Sequence, residues 1–253
     1  MLVDYHVHGM GHGEGSQTLE NLSRYLDFAR EQGIEEIGFA EHNWYLDQLD
    51  FSVFPRLRKV FPEIEVRVGL EIDFRPETAA NLAQKLTSLP FDYLIGSVHE
   101  IGDWMFDHPD YKDQYAHWDI DELYETYFQL VARMVDSGLY DIVGHLDLIK
   151  VFGYRPRQCI KDLVNSLLHR IAKAGMVVEV NTGGLYKPVG EIYPQETILA
   201  ECFRLNIPVT LGSDAHRAED VGRDLMRAKA LLRKLGYRKL AAFYRRKIYL
   251  IDL

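Results

Sequence analysis

Cysteine is nearly missing from this chain, with two in 253 residues, Cys159 and Cys202, each isolated in a helix-like segment. That excludes a disulfide scaffold and a CxxC metal knuckle, and both thiols read as small buried hydrophobes. No apolar run approaches the roughly 20 residues that span a bilayer. No basic-then-apolar leader opens the chain. A cytoplasmic protein with no membrane partner is therefore expected. Positive charge is also short, 29 Lys and Arg against 38 Asp and Glu for a net charge of -9, which argues against a nucleic-acid partner. Linkers, low-complexity tracts and strict repeats are missing too, so residues 1–253 are expected to form a single domain.

What is present is a rhythm. Apolar runs near 2–8, 34–40, 66–70, 93–98, 141–144, 176–180, 207–212 and 247–252 read as strands. Stretches with helical spacing lie between most of them, at 19–32, 76–89, 120–137, 159–174, 194–205 and 220–235. The segment 44–61 shows no clear period, and a long aromatic loop covers 101–118. Strands alternating with helices imply βαβ units and a parallel sheet covered on both faces. An open doubly wound sheet is one solution. It lacks support here, because no Gly-rich phosphate loop follows the first strand and opens directly into a helix. A closed parallel barrel also explains why polar residues gather at strand ends.

Those ends carry the chemistry. In Val3-Asp4-Tyr5-His6-Val7-His8 the two imidazoles are two residues apart and share one face of a strand. A glycine-rich loop then brings His12. The remaining strand ends supply His42, Glu71, His99, His145, Asn181, and Asp214 with His216. In a parallel α/β barrel these ends meet on one rim, where active sites of such folds lie. Seven of the ten histidines fall in this set, while His108, His117 and His169 lie in loop or helix and read as surface or packing residues. Imidazole with carboxylate suits zinc, manganese or iron better than magnesium or calcium. Seven histidines and two acids exceed the needs of one ion, so two or three divalent ions are expected.

The order HxH, His42, Glu71, SVH, GHLD and SDAH resembles the PHP (polymerase and histidinol phosphatase) family. The longer stretches FDYLIGSVHE, GLYDIVGHLDLIKVFGYRP, VEVNTGGLYKPVGEIYP and PVTLGSDAHRAEDVG resemble its histidinol-phosphate phosphatase branch. The resemblance implies a distorted (β/α)7 barrel with parallel strands and a trinuclear metal centre. By motif, His6, His8, Glu71 and Asp214 would hold one ion, and Glu71 would bridge to a second bound by His99 and His145. His12, His42 and His216 would hold the third. The His8–His12 loop is shorter than the family pattern, and Glu41 stands where Asp is commoner.

The implied activity is hydrolysis of L-histidinol phosphate, a small phosphate monoester, by a metal-held hydroxide. His216 and Asp214 are the candidates for proton transfer to the leaving group. Asp4 and Asp147 are the candidates for orienting imidazoles. Arg155, Lys187 and Arg217 are the candidates for substrate binding. Tyr186 occupies the place where the branch commonly carries an arginine, with Lys187 as the substitute. The aromatic loop with Trp104, Phe106, Tyr111, Tyr115 and Trp118 is either a wall that stacks on the substrate ring or a loop pinned to the barrel. If it is a wall, Glu100 or Asp103 would face the imidazolium. Two further readings remain, a related phosphoesterase acting on nucleotides or phosphotyrosine, and a metal-binding module without catalysis.

Overall fold

The computed structural model describes every residue of the chain except Glu14 and Thr78, with the backbone alone for residues 79–81. Seven parallel strands carry the architecture. They are β1 (Val3–Val7), β2 (Glu36–His42), β3 (Glu65–Asp73), β4 (Tyr93–Ser97), β7 (Ile142–Val143), β8 (Val177–Asn181) and β9 (Val209–Gly212), adjacent in that order. Between β4 and β7, the two short strands β5 (Glu100–Ile101) and β6 (Trp104–Met105) pair with each other only. The sheet nearly closes. Just past β9, Ala215 pairs with Val7, its carbonyl accepting from His8 N at 2.8 Å and its N donating to the His6 carbonyl at 3.3 Å.

Among the described residues seven helices pack outside: α1 (Leu19–Glu31), α2 (Val53–Val60), α3 (Ala79–Leu86), α4 (Ile120–Asp136), α5 (Ile160–Ala174), α6 (Glu196–Arg204) and α7 (Leu225–Leu235). Of the helix expected at 76–89, Thr78 lies outside the described residues. Helix α1 shows why such segments form. Thr18 caps it by accepting from Asn21 N, Glu20 sits at its positive end and Arg30 at its negative end, and Leu22, Tyr25, Leu26 and Ala29 face the core. The aperiodic segment 44–61 still yields α2, because eight residues with Val53, Phe54 and Leu57 buried are too short for a pattern to show.

Two expectations need correction. The segment 247–252 is no barrel strand, since β11 (Lys247–Asp252) pairs antiparallel with β10 (Lys239–Tyr244), a strand the sequence reading left unassigned. This hairpin plugs the N-terminal end of the barrel, with Phe243 packed edge-on against Tyr5 and tilted against Tyr93. Second, Cys159 is exposed at the N-cap of α5, and only Cys202 is buried, where burial pushes its thiol up to about 12.

The barrel interior is filled by side chains. Tyr93 crosses it and donates to the Tyr5 carbonyl at 2.7 Å. A Cβ on Gly38 or Gly69 would lie 2.1 Å or 2.3 Å from the Tyr93 side chain, so only glycine leaves that ring its room.

Candidate metal centre

The period-2 geometry of β1 places His6 and His8 on the inner face, both buried, and their neighbours arrive from other strand ends. Glu71 stands at the middle. Its Oε2 lies 3.4 Å from His6 Nε2, 3.5 Å from His8 Nε2 and 2.9 Å from His42 Nδ1. Its Oε1 lies 3.0 Å from His145 Nε2 and 3.6 Å from His99 Nε2. Asp214 closes the far side, with Oδ1 3.5 Å from His8 Nε2 and 3.8 Å from His6 Nε2. Asp214 reaches in from a left-handed backbone, φ 58°, a conformation Asp tolerates better than most residues.

Three groups therefore have ligand atoms within 4.8 Å of one another: His6, His8 and Glu71; Glu71, His99 and His145; and His8, His42 and His216. His12 is exposed at the rim, with its ring 4.2 Å from that of His216 and 6.0 Å from that of His42. The histidines His108, His117 and His169 lie partly or fully exposed outside the three groups.

The donor set fits metal ions better than a structural polar network. Buried imidazole nitrogens normally have hydrogen-bond partners. Here His6 Nε2, both nitrogens of His8 and of His42, His145 Nδ1 and His216 Nε2 are buried without a hydrogen bond of good geometry among the described residues, His42 Nδ1 even though Glu71 Oε2 stands 2.9 Å away. His99 Nε2 and His145 Nε2 face each other at 3.3 Å beside Glu71 Oε1, so several lone pairs converge with few protons to share. Electrostatics divide the rings: against the effect of burial, Glu179 and Glu71 hold His6, and Asp73 and Glu71 hold His99, well above the usual imidazole range. Burial, with His216 and His42 beside it, holds His8 well below the usual imidazole range. Burial also lowers His216, to about 4. Burial alone would raise Glu71, yet the imidazoles of His6, His42 and His99 hold it well below the usual carboxylate range.

The residues that orient the imidazoles differ from those expected. Asp4 touches no imidazole. It accepts from Ser213 N at 2.9 Å, Ser213 Oγ and Gly222 N at 3.0 Å, and so ties the loop carrying Asp214 to β1. Asp147 pairs with buried Lys150 at 3.0 Å and accepts from Gln195 N, away from the rings. The work falls to two other acids. Glu179 Oε1 lies 2.6 Å from His6 Nδ1, while its Oε2 accepts from His145 N at 2.7 Å. Asp73 holds His99 Nδ1. Glycine is required opposite Glu179, since a Cβ on Gly212 would stand 2.2 Å from Oε1. A lone acid inside the apolar strand VVEVN, two residues before Asn181, was the available signal for Glu179. Glu41 supports the first loop by accepting from Met10 N at 3.1 Å.

The basic candidates separate by position. Arg217 lines a small cavity of about 200 Å³ together with His216 and Arg24. Arg155 is held by Glu191 at 2.6 Å and Gln195 at 3.2 Å. Lys187 is exposed beyond the loop after β8. The Arg223 guanidinium covers the Tyr186 ring at 3.7 Å.

The aromatic loop is pinned to the barrel. Trp104 packs edge-on to Tyr115, Tyr115 stacks on Tyr154 and donates to the Ile149 carbonyl, and Phe106 packs on Tyr127. Glu100 is engaged by Arg75, and Asp103 is exposed. The indole on the metal-side rim is Trp44, half exposed and stacked on His42 at 4.0 Å.

Comparison with known proteins agrees with this geometry. The PHP domain matches residues 4–183 of the chain. The chain belongs to the PHP family. A probable histidinol-phosphatase of Deinococcus radiodurans is 34% identical, covering 97% of this chain and 98% of its own. A histidinol-phosphatase of Lactococcus lactis is 28% identical, covering 97% and 96%. A crystal structure of the histidinol phosphate phosphatase from Lactococcus lactis, complexed with zinc, L-histidinol and phosphate, superposes on this PHP chain with a TM-score of 0.82. The two are 27% identical, with 98% of each chain covered.

Proposed function

We propose that this PHP protein is a histidinol-phosphatase, a metal-dependent phosphomonoesterase that converts L-histidinol phosphate to L-histidinol and phosphate in histidine biosynthesis. The observation that carries the reading is the cluster of buried imidazole nitrogens around Glu71 that make no hydrogen bond of good geometry among the described residues, in a chain 34% identical over nearly its full length to a probable histidinol-phosphatase.

In this reading His6, His8, Glu71 and Asp214 hold one divalent ion, Glu71, His99 and His145 a second, and His42 and His216 with His12 a third. Bound there, zinc, manganese or iron supplies Lewis acidity toward the phosphoryl oxygens and an activated water at neutral pH. The chain's own groups do the rest. Glu179 and Asp73 fix which nitrogen of His6 and of His99 faces the centre. His216 and Asp214 remain the candidates for proton transfer to the leaving group, and burial keeps the His216 ring neutral at pH 7, which favours an acceptor or ligand role for it. Arg217 attracts the phosphate from its cavity beside His216. Trp44 takes the place of the pinned aromatic loop as the flat surface open to an imidazole ring. A net charge of -9 supports a free small ester in the cytoplasm over a nucleic-acid substrate.

The test is phosphate release from L-histidinol phosphate, a nucleoside monophosphate and phosphotyrosine, using chelated and metal-restored protein. Strong preference for histidinol phosphate, lost on chelation and regained with manganese or zinc, is the expected result. Metal-dependent release from another ester would keep the centre and change the substrate. No release from any ester with metals bound would leave a binding module.

A further inference from the structure

A cavity of about 710 Å³ lies at the opposite end of the barrel from the histidines, within the size range of small-molecule sites. Its walls come from the N-terminal ends of β3 and β4, from α2 and from the β10–β11 turn. Half-exposed Tyr244 and partly buried Phe51 supply its accessible aromatic surface, backed by the buried Phe54 and Phe91. Four arginines stand in its lining against two acids, Glu65 and Asp92, so the cavity is net positive in a protein where acids outnumber bases.

Three of those arginines are already engaged. Arg67 pairs with Glu36 at 2.6 Å and Glu65 at 3.4 Å. Arg246 pairs with Asp141 and donates to the Leu139 carbonyl at 2.6 Å. Arg58 donates twice to the Val66 carbonyl, at 3.0 and 2.8 Å. Arg245 differs. Its backbone N is held by Asp92 Oδ1 at 3.0 Å, but its guanidinium meets no carboxylate among the described residues and lies 5.2 Å over the Tyr244 ring. Arg67 lies at the same distance from that ring.

The backbone makes the arrangement notable. Arg245 and Arg246 are the two central residues of the hairpin turn, both left-handed, with φ of 48° and 63°. Two-residue hairpins favour Asn-Gly at such positions, because a Cβ is disfavoured there. Unfavourable backbone that persists at a ligand-sized cavity is a reason to look for function. The turn has accepted two bulky residues whose side chains line the cavity.

The geometry points to a second binding site, in this cavity, for a small aromatic anion. The ring lies against Phe51 and Tyr244, and the Arg245 guanidinium takes the anionic group. Carboxylate, sulfonate and phosphate share the chemistry the site recognises.

Naphthalene-2-sulfonate is a suitable probe, titrated by calorimetry into the metal-loaded full chain with excess inorganic phosphate to fill the rim. One saturable site is expected, with 2-naphthol and inorganic sulfate each at least about tenfold weaker, since each lacks one half of the recognition. Arg245→Gly should lose about tenfold in affinity. Its melting temperature should stay or rise, because glycine adopts the positive φ without cost, and its phosphate release should be unchanged. No saturable binding to the wild-type chain would overturn the site, as would equal affinity in Arg245→Gly. Sulfate binding as tight as the naphthalene compound would overturn it too, by showing a bare anion patch. Failure here leaves the phosphatase reading intact, since turnover is read separately on the same samples.

Discussion

At the N-terminal end of the barrel, Tyr5 donates to Glu36 and accepts from Phe243 N at 3.0 Å, Arg67 and Tyr249 complete Glu36, and Asp92 accepts from Val68 N at 3.0 Å. At the C-terminal end, seven buried imidazole nitrogens make no hydrogen bond of good geometry among the described residues. Both ends are polar inside, yet one is saturated by its own chain and the other is not. Leaving a buried polar group unpaired costs about 1–3 kcal/mol. A chain able to satisfy Glu36 three times over has no structural need to leave so many nitrogens bare on the rim. The rim is organised for ligands that the chain itself does not supply.

The comparison breaks most sharply at Glu71. Glu71→Gln should lower phosphate release by on the order of 10³-fold and reduce bound metal measured by mass spectrometry. Unchanged metal content would remove Glu71 from the centre. At the other end, Phe243→Ala should destabilise the fold by about 3–5 kcal/mol, read by urea denaturation. Activity per folded molecule should hold, because Phe243 packs on Tyr5 and Tyr93 at the end of the barrel away from the rim. Glu179→Gln probes the support beneath the rim. Metal affinity should fall about 10–100-fold, and a shift in stability without any loss of affinity would show Glu179 to be only a packing residue. The smallest effect is expected at Trp44. Trp44→Ala should raise KM for histidinol phosphate several-fold, by about 0.5–1.5 kcal/mol of lost ring contact, with kcat nearly kept. A fall in kcat alone would mean that the indole acts by bracing His42.

Legibility in the sequence followed the range of the interaction. His6 and His8 were legible because a strand puts alternate residues on one face. The positions of His42, His99, His145 and His216 followed from strand ends sharing a rim. Glu179 and Asp73 were not singled out, since an acid near a strand end gives no sign of which ring it will meet. Asp4 and Asp147 sit beside the right motifs but turn to Ser213 and Lys150. The β10–β11 hairpin stayed hidden because its turn is Arg245-Arg246, without the Asn-Gly signal by which such turns are read.

Local periodicity in the sequence by itself determined the alternation of strands and helices, the apolar faces, and a rim crowded with histidine and acid. Tertiary structure alone decided which carboxylate serves which imidazole, where the guanidinium groups go, and how the barrel bottom is sealed. The His6–Glu179 pair joins residues 173 positions apart. No local pattern encodes such a contact, because it exists only once seven strands have closed on each other.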